Sequence, residues 1–367
     1  MPITTAFSTK SLHEVAEDLK NNCKMDRPRV VVFFASSKYQ PEALSEQMHA
    51  AFPDACVVGC TSAGEIVAGK MMNGSVVAMF FDADVVEDAA AAVAENLGSG
   101  TPIDKVFRQF EEHFHTSIGA MDIRKYVGLV LVDGLSGAEE RLMEKIGAGS
   151  DLFFVGGAAG DDLRFQSTYV FAGGKAYSDA AVLLLLQLKN NFDIVKTQSF
   201  KLTGRQLVAT RVNESVRQVV EFDHRPALDA YAEAVGVPSE QASDCFMRYP
   251  LGLMVNGEPF VRSPQRVDGR SLVFYCQIKQ GMHLEVLEST DIVADTRAAI
   301  EAKRNSIPAI SGLIDFHCIL RTLALRYENR CDKYAAIFRG IPAIGFSTYG
   351  EEYLGHINQT STILLFR

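Results

Sequence analysis

Three stretches of this chain repeat one order of elements: an apolar strand, a helix, a second apolar strand, a glycine-rich elbow ending in a carboxylate, and a further strand. The elbows are Gly59-Cys60-Thr61-Ser62-Ala63-Gly64-Glu65, Gly156-Gly157-Ala158-Ala159-Gly160-Asp161 and Gly345-Phe346-Ser347-Thr348-Tyr349-Gly350-Glu351. A repeated elbow indicates one building block used three times. We therefore expect the three bends to meet and to frame a concave ligand pocket whose floor is formed by the C-terminal segment.

The spacing of strands and helices predicts an α/β protein with mixed layered sheets built from repeated strand-helix-strand units. The unbroken apolar run from Val30 to Phe34 suits a strand that is covered on both faces. The strands that follow the elbows are expected to pair antiparallel. A chain of 367 residues favours two domains, which we place at residues 27–219 and 220–366.

Bulk composition argues against several classes of function. The net charge of −9 and the lack of a basic stripe disfavour nucleic-acid binding. The longest apolar run, Ala180 to Leu186, is far shorter than the roughly 20 residues that a membrane-spanning helix needs. The N-terminus has no apolar core of a signal peptide. The seven cysteines show no paired spacing and indicate a reducing compartment, so we predict a cytoplasmic location.

The elbows permit two interpretations. Their glycines let the backbone turn sharply and approach a ligand closely. Alternatively, the glycines serve strand turns and bulges, while Glu65 and Glu351 cap nearby amides. A phosphate loop is disfavoured, because no elbow ends in Gly-Lys-Ser or Gly-Lys-Thr.

The C-terminal stretch carries the most specific chemistry. Arg321 follows the predicted strand from Leu313 to Cys318, and open α/β sheets bind ligands at the carboxyl ends of their strands. Arg321 is thus placed to hold a ligand carboxylate bidentately. The third elbow is followed by His356-Ile357-Asn358-Gln359-Thr360, which adds an imidazole, amides and a hydroxyl.

These motifs resemble the FIST proteins, a bacterial sensory family with an N-terminal and a C-terminal FIST region. The first elbow resembles the N-terminal motif, and the Cys318-x-x-Arg321 step with the third elbow resembles the C-terminal motif. The resemblance extends from about Pro28 to Phe366 and assigns residues 27–219 to FIST N and 220–366 to FIST C. The third elbow with His356 to Thr360 is similar to a narrower branch of nitric-oxide-sensing haemoproteins.

That branch implies b-type haem, detection of nitric oxide, and regulation of a partner histidine kinase or a cyclic-di-GMP enzyme (a diguanylate cyclase or a phosphodiesterase). His356 is then the axial ligand of the metal, and the other residues expected in the cofactor site are Arg321, Glu351, Tyr349, Asn358 and His317. The resemblance leads us to expect an acidic residue at position 317, so His317 offers a second possible ligand. The alternative interpretation takes His356 as a turn histidine bonded to backbone carbonyls, and Cys318 as a small buried hydrophobe.

A second hypothesis keeps the fold and replaces haem by a small metabolite, such as an amino acid, held by Arg321 and the elbow amides. Catalysis is not predicted. The chain has no G-x-S-x-G elbow, and Glu351 and Glu352 point to opposite sides of an extended segment. A two-fold homodimer is compatible with the sequence.

Overall fold

The first repeat shows how the elbow is built into a sheet. In the computed structural model, which describes residues 2–367, strands β2 and β3 are parallel and joined by helix α2. The elbow leads into the hairpin β4–β5, and β6 returns antiparallel beside β2. The elements are β1 (Ile3–Ser8), α1 (Leu12–Asn22), β2 (Val30–Ser36), α2 (Pro41–Ala51), β3 (Cys56–Ser62), β4 (Glu65–Val67), β5 (Lys70–Met72) and β6 (Val76–Phe81).

The second repeat has the same plan. Strands β8 and β9 are parallel, β10–β11 is the hairpin, and β12 returns antiparallel beside β8. The elements are β7 (Val86–Glu95), α3 (Ile103–Phe114), β8 (Tyr126–Val132), α4 (Glu139–Gly149), β9 (Phe153–Ala158), β10 (Val170–Ala172), β11 (Lys175–Tyr177) and β12 (Ala180–Leu188).

The third repeat is interrupted after its first strand, β13 (Phe192–Gln198). The inserted segment forms a sheet in the order β18-β17-β21-β14-β15-β20-β19, with β16 paired to β15, and packs it against helix α5. Its elements are β14 (Phe200–Asn213), β15 (Gln218–Phe222), β16 (Arg225–Pro226), α5 (Ala227–Val235), β17 (Leu251–Val255), β18 (Glu258–Arg262), β19 (Pro264–Asp268), β20 (Ser271–Phe274) and β21 (His283–Ser289).

The third repeat then resumes. Strands β22 and β23 are parallel, and β26 returns antiparallel beside β22. The remaining elements are α6 (Ile292–Ser306), β22 (Gly312–Cys318), α7 (Ile319–Tyr327), α8 (Cys331–Ala335), β23 (Ala343–Thr348), β24 (Glu351–Tyr353), β25 (His356–Ile357) and β26 (Thr360–Phe366). Short 3-10 turns lie at Ile118–Ala120, Glu214–Val216, Ser239–Cys245 and Ala336–Phe338.

The elbow hairpins are exchanged among the repeats. The first hairpin pairs with β23 of the third repeat, the second with β3 of the first, and the third with β9 of the second. The three sheets consequently have the same plan, in the orders β1-β6-β2-β3-β10-β11, β7-β12-β8-β9-β24-β25 and β13-β26-β22-β23-β4-β5. The prediction of mixed sheets built from repeated strand-helix-strand units is confirmed.

One face of all three sheets contributes to a shared apolar cluster, since alternate side chains of a strand point to opposite faces. This cluster includes Phe34, Leu129, Phe316 and Phe346. The opposite faces of the first and second sheets are covered by helices α1 and α2 and by α3 and α4, again through apolar side chains.

The chain separates into two compact units that do not correspond to a single cut. One comprises residues 2–197, 297–356 and 361–367, and the other comprises 198–296 and 357–360. The sequence boundary near residue 220 stays a prediction. No helix within residues 2–367 combines the length and the apolar character needed to cross a bilayer.

Candidate functional site

The three elbows meet, as the sequence predicts. The amide of Gly160 donates to the carbonyl of Thr61 (3.1 Å), and the amide of Ser347 donates to the carbonyl of Gly64 (2.7 Å). The amide of Tyr349 donates to the carbonyl of Ala158 (3.0 Å). Each elbow is therefore bonded to both others, which follows from the cyclic exchange of the hairpins.

The elbow glycines serve close packing between chain segments. A Cβ atom added to Gly160 would lie 2.8 Å from the amide nitrogen of Ala63, and one added to Gly157 would lie 2.5 Å from a methyl group of Thr348. At Gly350 a Cβ atom would overlap the imidazole of His356. These contacts support the interpretation of the elbows as turns, whereas the pocket that they were expected to frame stays a prediction.

The elbow carboxylates are bonded within the protein. Glu65 accepts hydrogen bonds from the hydroxyl of Ser62 and from both the amide (3.0 Å) and the hydroxyl (2.6 Å) of Ser75. Glu351 accepts from the hydroxyl of Thr348 at 2.5 Å. Asp161 accepts from the amides of residues 165, 166 and 167 and from the Tyr349 hydroxyl.

The environment moves the pKa values of two of these carboxyls in opposite directions. Burial raises the pKa of Glu65 to about 7, although the bonds from Ser62 and Ser75 oppose the shift. Burial also acts on Asp161, but the bonds from Tyr349 and the three backbone amides outweigh it and lower the pKa. Asp161 is thus a fixed charge that organises the loop after the second elbow.

Strand register shows which positions of the three repeats are equivalent. The first glycine of each elbow pairs with a residue of the neighbouring parallel strand: Gly59 with Phe33, Gly156 with Val130, and Gly345 with Asp315. Two residues after Phe33, Val130 and Asp315, strands β2, β8 and β22 carry Ala35, Val132 and His317. The return strands pair those positions with Val76, Ala181 and Ser361.

The third repeat therefore replaces three buried apolar side chains by Asp315, His317 and Ser361. All three side chains are buried and bonded to one another through Tyr334 of α8. The Ser361 hydroxyl donates to one oxygen of Asp315 (2.6 Å), and the Tyr334 hydroxyl donates to the other (2.8 Å). The Nδ1 atom of His317 lies 3.0 Å from the Tyr334 hydroxyl oxygen.

Arg321 lies beside this network. It occupies the first turn of α7, directly after β22, and only 2% of its surface is exposed. Burial lowers the pKa of His317 well below its usual value, and the charge of Arg321 lowers it further. Burial raises the pKa of Asp315 to about 6, with the bonds from Ser361 and Tyr334 and the charge of Arg321 opposing the shift.

A second buried polar pair lies on the third hairpin. Glu352 pairs in register with Gly156, whereas Ile66 and Phe171 occupy the equivalent places in the other two hairpins. The Oε1 atom of Glu352 lies 2.8 Å from Nδ1 of His356, and both side chains are buried. Burial raises the pKa of Glu352 to about 6; His356 opposes the shift, and nearby carboxylates of α4 add to it.

The residues predicted from sequence thus fall into separate settings. His317 and Arg321 lie together in the third repeat, while Glu351 and Tyr349 belong to the elbow junction. The Tyr349 hydroxyl is bonded to Asp161 and accepts from the amide of Leu163 (2.9 Å). Asn358 belongs to the other compact unit, where its side-chain oxygen accepts from the thiol of Cys276 (2.7 Å).

Sequence reasoning assigned no role in a binding site to Asp315, Ser361, Tyr334 or Glu352. Asp315 did leave a signal, because it is a lone carboxylate inside the apolar run Leu313-Ile314-Asp315-Phe316. Glu352 left one as well, at a hairpin position where the other repeats are apolar. Tyr334 left none, since nothing in the spacing of α8 relates it to β22.

Residues 29–225 match the family model of the FIST N domain, and residues 227–353 match that of the FIST C domain. The chain belongs to the FIST family. FIST domains are associated with small-ligand sensing in signal transduction and are sensor rather than catalytic domains. A similar protein is an uncharacterised protein of Methanocaldococcus jannaschii, 23% identical over 309 residues, or 78% of this chain and 59% of the relative. The chain spans about three fifths of that relative's length.

Proposed function

We propose that this FIST protein is a sensor that binds a small carboxylate-bearing metabolite, such as an amino acid, at the third repeat. The observation that carries the proposal is the placement of Arg321, a buried cation at the carboxyl end of β22 beside the buried His317. A guanidinium presents two parallel donors that match a carboxylate, and the pairing is stronger where water is excluded. Ligands of open α/β sheets bind at such strand ends.

The same contacts provide a route for a signal. The next residue of α7, Thr322, has its hydroxyl 2.8 Å from that of Ser347 in the third elbow. Ligand binding at Arg321 would therefore act on an elbow that is bonded to both others. We propose a cytoplasmic partner, a histidine kinase or a cyclic-di-GMP enzyme, that responds to this change, with a homodimer as a compatible assembly.

The proposal is tested by a thermal-shift screen of the full chain against amino acids, hydroxy acids and simple carboxylates. A ligand at 100 times its Kd should stabilise the protein by about 2.7 kcal/mol, which raises Tm by about 2 °C or more. Arg321→Gln should abolish the shift. The matched control is Arg326→Gln on the same helix, whose guanidinium bonds the side chain of Asn73 (2.6 Å). A carboxylate that stabilises the folded Arg321→Gln variant equally would contradict the proposal.

A second candidate is a b-type haem sensor of nitric oxide with His356 as the axial ligand. The observation that favours it is the hydrogen bond that Glu352 accepts from Nδ1 of His356, because such a partner orients an axial imidazole. The donor fits haem, but its surroundings do not: the carboxylates of Glu139 and Glu140 are near enough to raise the pKa of Glu352, whereas haem packs against apolar side chains. The metabolite sensor is therefore the better-supported function.

Reconstitution with haem separates the two candidates. A haem sensor should give a Soret band that shifts with nitric oxide and is lost in His356→Gln. His113→Gln is the control, since His113 is half exposed and bonded to Asp88. A protein that stays colourless after reconstitution would exclude the haem sensor and would not affect the proposal of a metabolite sensor.

A further inference from the structure

We infer that the ligand carries a hydrogen-bond donor next to its carboxylate, as in a 2-hydroxy or 2-amino acid, and that Nε2 of His317 accepts from this donor. The inference rests on the proposed function and specifies the class of ligand. It is carried by the direction of the hydrogen bonds in the buried network of the third repeat.

The network fixes which nitrogen of His317 holds the proton. The two oxygens of Asp315 accept from Ser361 and from Tyr334, and the Tyr334 hydroxyl also lies 3.2 Å from the Ser361 oxygen, so its hydrogen is directed at Asp315 and Ser361 rather than at His317. The Tyr334 oxygen must then accept from Nδ1 of His317, which lies 3.0 Å away. A neutral imidazole with its hydrogen on Nδ1 presents a lone pair at Nε2.

The imidazole is also held neutral. His317 is fully buried, and burial together with the positive charge of Arg321 disfavours a second proton. In the described part of the chain, Nε2 of His317 is a buried atom without a hydrogen-bond partner. A buried acceptor that lacks a donor costs free energy, and a ligand N–H or O–H would recover it.

The other two repeats show that the fold does not require this arrangement. Ala35 and Val132 occupy the places equivalent to His317, and Val76 and Ala181 occupy the places equivalent to Ser361. The chain therefore contains two examples of the same unit with an apolar face. Departures from the rule of an apolar core are expected where function demands them, which assigns the departure in the third repeat to ligand recognition.

Arg321 and His317 together set two requirements for the chemical groups of a ligand. Arg321 is close enough for its charge to act on both His317 and Asp315. A ligand that satisfies both residues needs a carboxylate for the guanidinium and a hydrogen-bond donor for the imidazole, and carbon 2 is the position nearest the carboxylate that can carry such a donor. Hydroxyl and amino groups at carbon 2 meet this condition, and the corresponding plain carboxylates do not.

The test is isothermal titration of the full chain with matched pairs of ligands: lactate and alanine against propionate, and malate and aspartate against succinate. In at least one pair the donor-bearing acid should bind about 10- to 100-fold more tightly, the range expected for one lost hydrogen bond in a buried site. His317→Leu should reduce that ratio to within about threefold, whereas His317→Gln, which retains an acceptor oxygen, should restore part of it.

His113→Leu serves as the matched histidine control and should leave the ratio unchanged. Equal binding of both members of every pair to the wild-type protein would overturn the inference while leaving the carboxylate sensor intact. A ratio that persists in a folded His317→Leu variant would overturn it as well. If no carboxylate of the panel binds, the proposed function itself fails, so the two failures are distinguishable.

Discussion

At the scale of single residues, the site contains buried carboxyls whose protonation is coupled to folding. Burial raises the pKa of Glu65 to about 7, and those of Asp315 and Glu352 to about 6. A buried acid with a raised pKa binds its proton more tightly in the folded than in the unfolded state. Its contribution to stability is therefore complete below the unfolded pKa and is lost as the pH rises to the folded pKa.

For Glu65 this window runs from the ordinary value of 4.5 to about 7. The free energy of unfolding should fall by roughly 3 kcal/mol across it through this residue alone. Glu65→Gln should remove that part of the fall. Urea unfolding measured between pH 4.5 and 8 tests the prediction, with Glu17→Gln, an exposed site on α1, as the control. Wild-type and Glu65→Gln curves that stay parallel over this range would contradict it.

Part of the candidate site was predictable at this scale. Arg321 was named because a strand pattern places it at a carboxyl edge, and His317 was named through the family resemblance; their role in binding stays a prediction. The roles of Tyr349 and Asn358 were not predictable, because the hydrogen bond to Asp161 and the contact with Cys276 join residues 188 and 82 positions apart. Sequence spacing carries no information about such long-range partners.

At the scale of elements, each elbow depends on a glycine that presses against the neighbouring strand. A Cβ atom at Gly156 would overlap the carbonyl oxygen of Val130, which cannot move without disturbing the ladder of β8 and β9. Gly156→Ala should therefore destabilise the protein by about 3 kcal/mol. Gly147→Ala is the control, since it lies in α4 with open space around it and should stabilise by about 0.5–1 kcal/mol. Urea unfolding of both variants makes the comparison, and equal effects would refute the account.

The loop after the second elbow is a second element whose shape needs outside support. Asp162, Leu163 and Phe165 have φ angles of 56°, 64° and 52°, a region that costs free energy for residues other than glycine. The Tyr349 hydroxyl and the Asp161 carboxylate bond this loop, and the Phe165 ring stacks on Tyr349 with centroids 5.0 Å apart.

Tyr349→Phe should therefore make the loop of residues 161–167 open more often. We expect amide hydrogen exchange over residues 161–167 to increase by about tenfold or more, as measured by mass spectrometry. Tyr39→Phe also loses a hydroxyl bond, to the carbonyl of Lys10, but is expected to leave exchange in this loop unchanged. Unaltered loop exchange in Tyr349→Phe would show that the loop holds its shape without the third elbow.

At the scale of the whole chain, the exchanged hairpins make the repeats depend on one another. Every sheet of the first compact unit contains a hairpin from another repeat. Gly156→Ala in the second repeat should therefore raise hydrogen exchange in β2 and β22 as well as in β8 and β9. Faster exchange confined to β8 and β9 would mean that the repeats open independently.

The sequence predicted the three repeats and the meeting of their elbows, because apolar runs and glycine spacing are local signals. It did not predict the hairpin exchange, since a three-residue strand such as β4 carries no mark of the sheet that it joins. Nor did it predict that the third repeat is interrupted between β13 and α6. Both features depend on pairing between strands that are distant in the sequence, and local sequence patterns do not specify such pairing.

The central claim is that the third repeat holds the ligand through Arg321 and His317. The most direct test is a crystal structure of the protein with the tightest binder from the carboxylate panel. The ligand carboxylate should lie within hydrogen-bond distance of the Arg321 guanidinium, with the adjacent donor at Nε2 of His317. A ligand bound instead by residues of the first or second repeat, with Arg321 and His317 unchanged, would contradict the account.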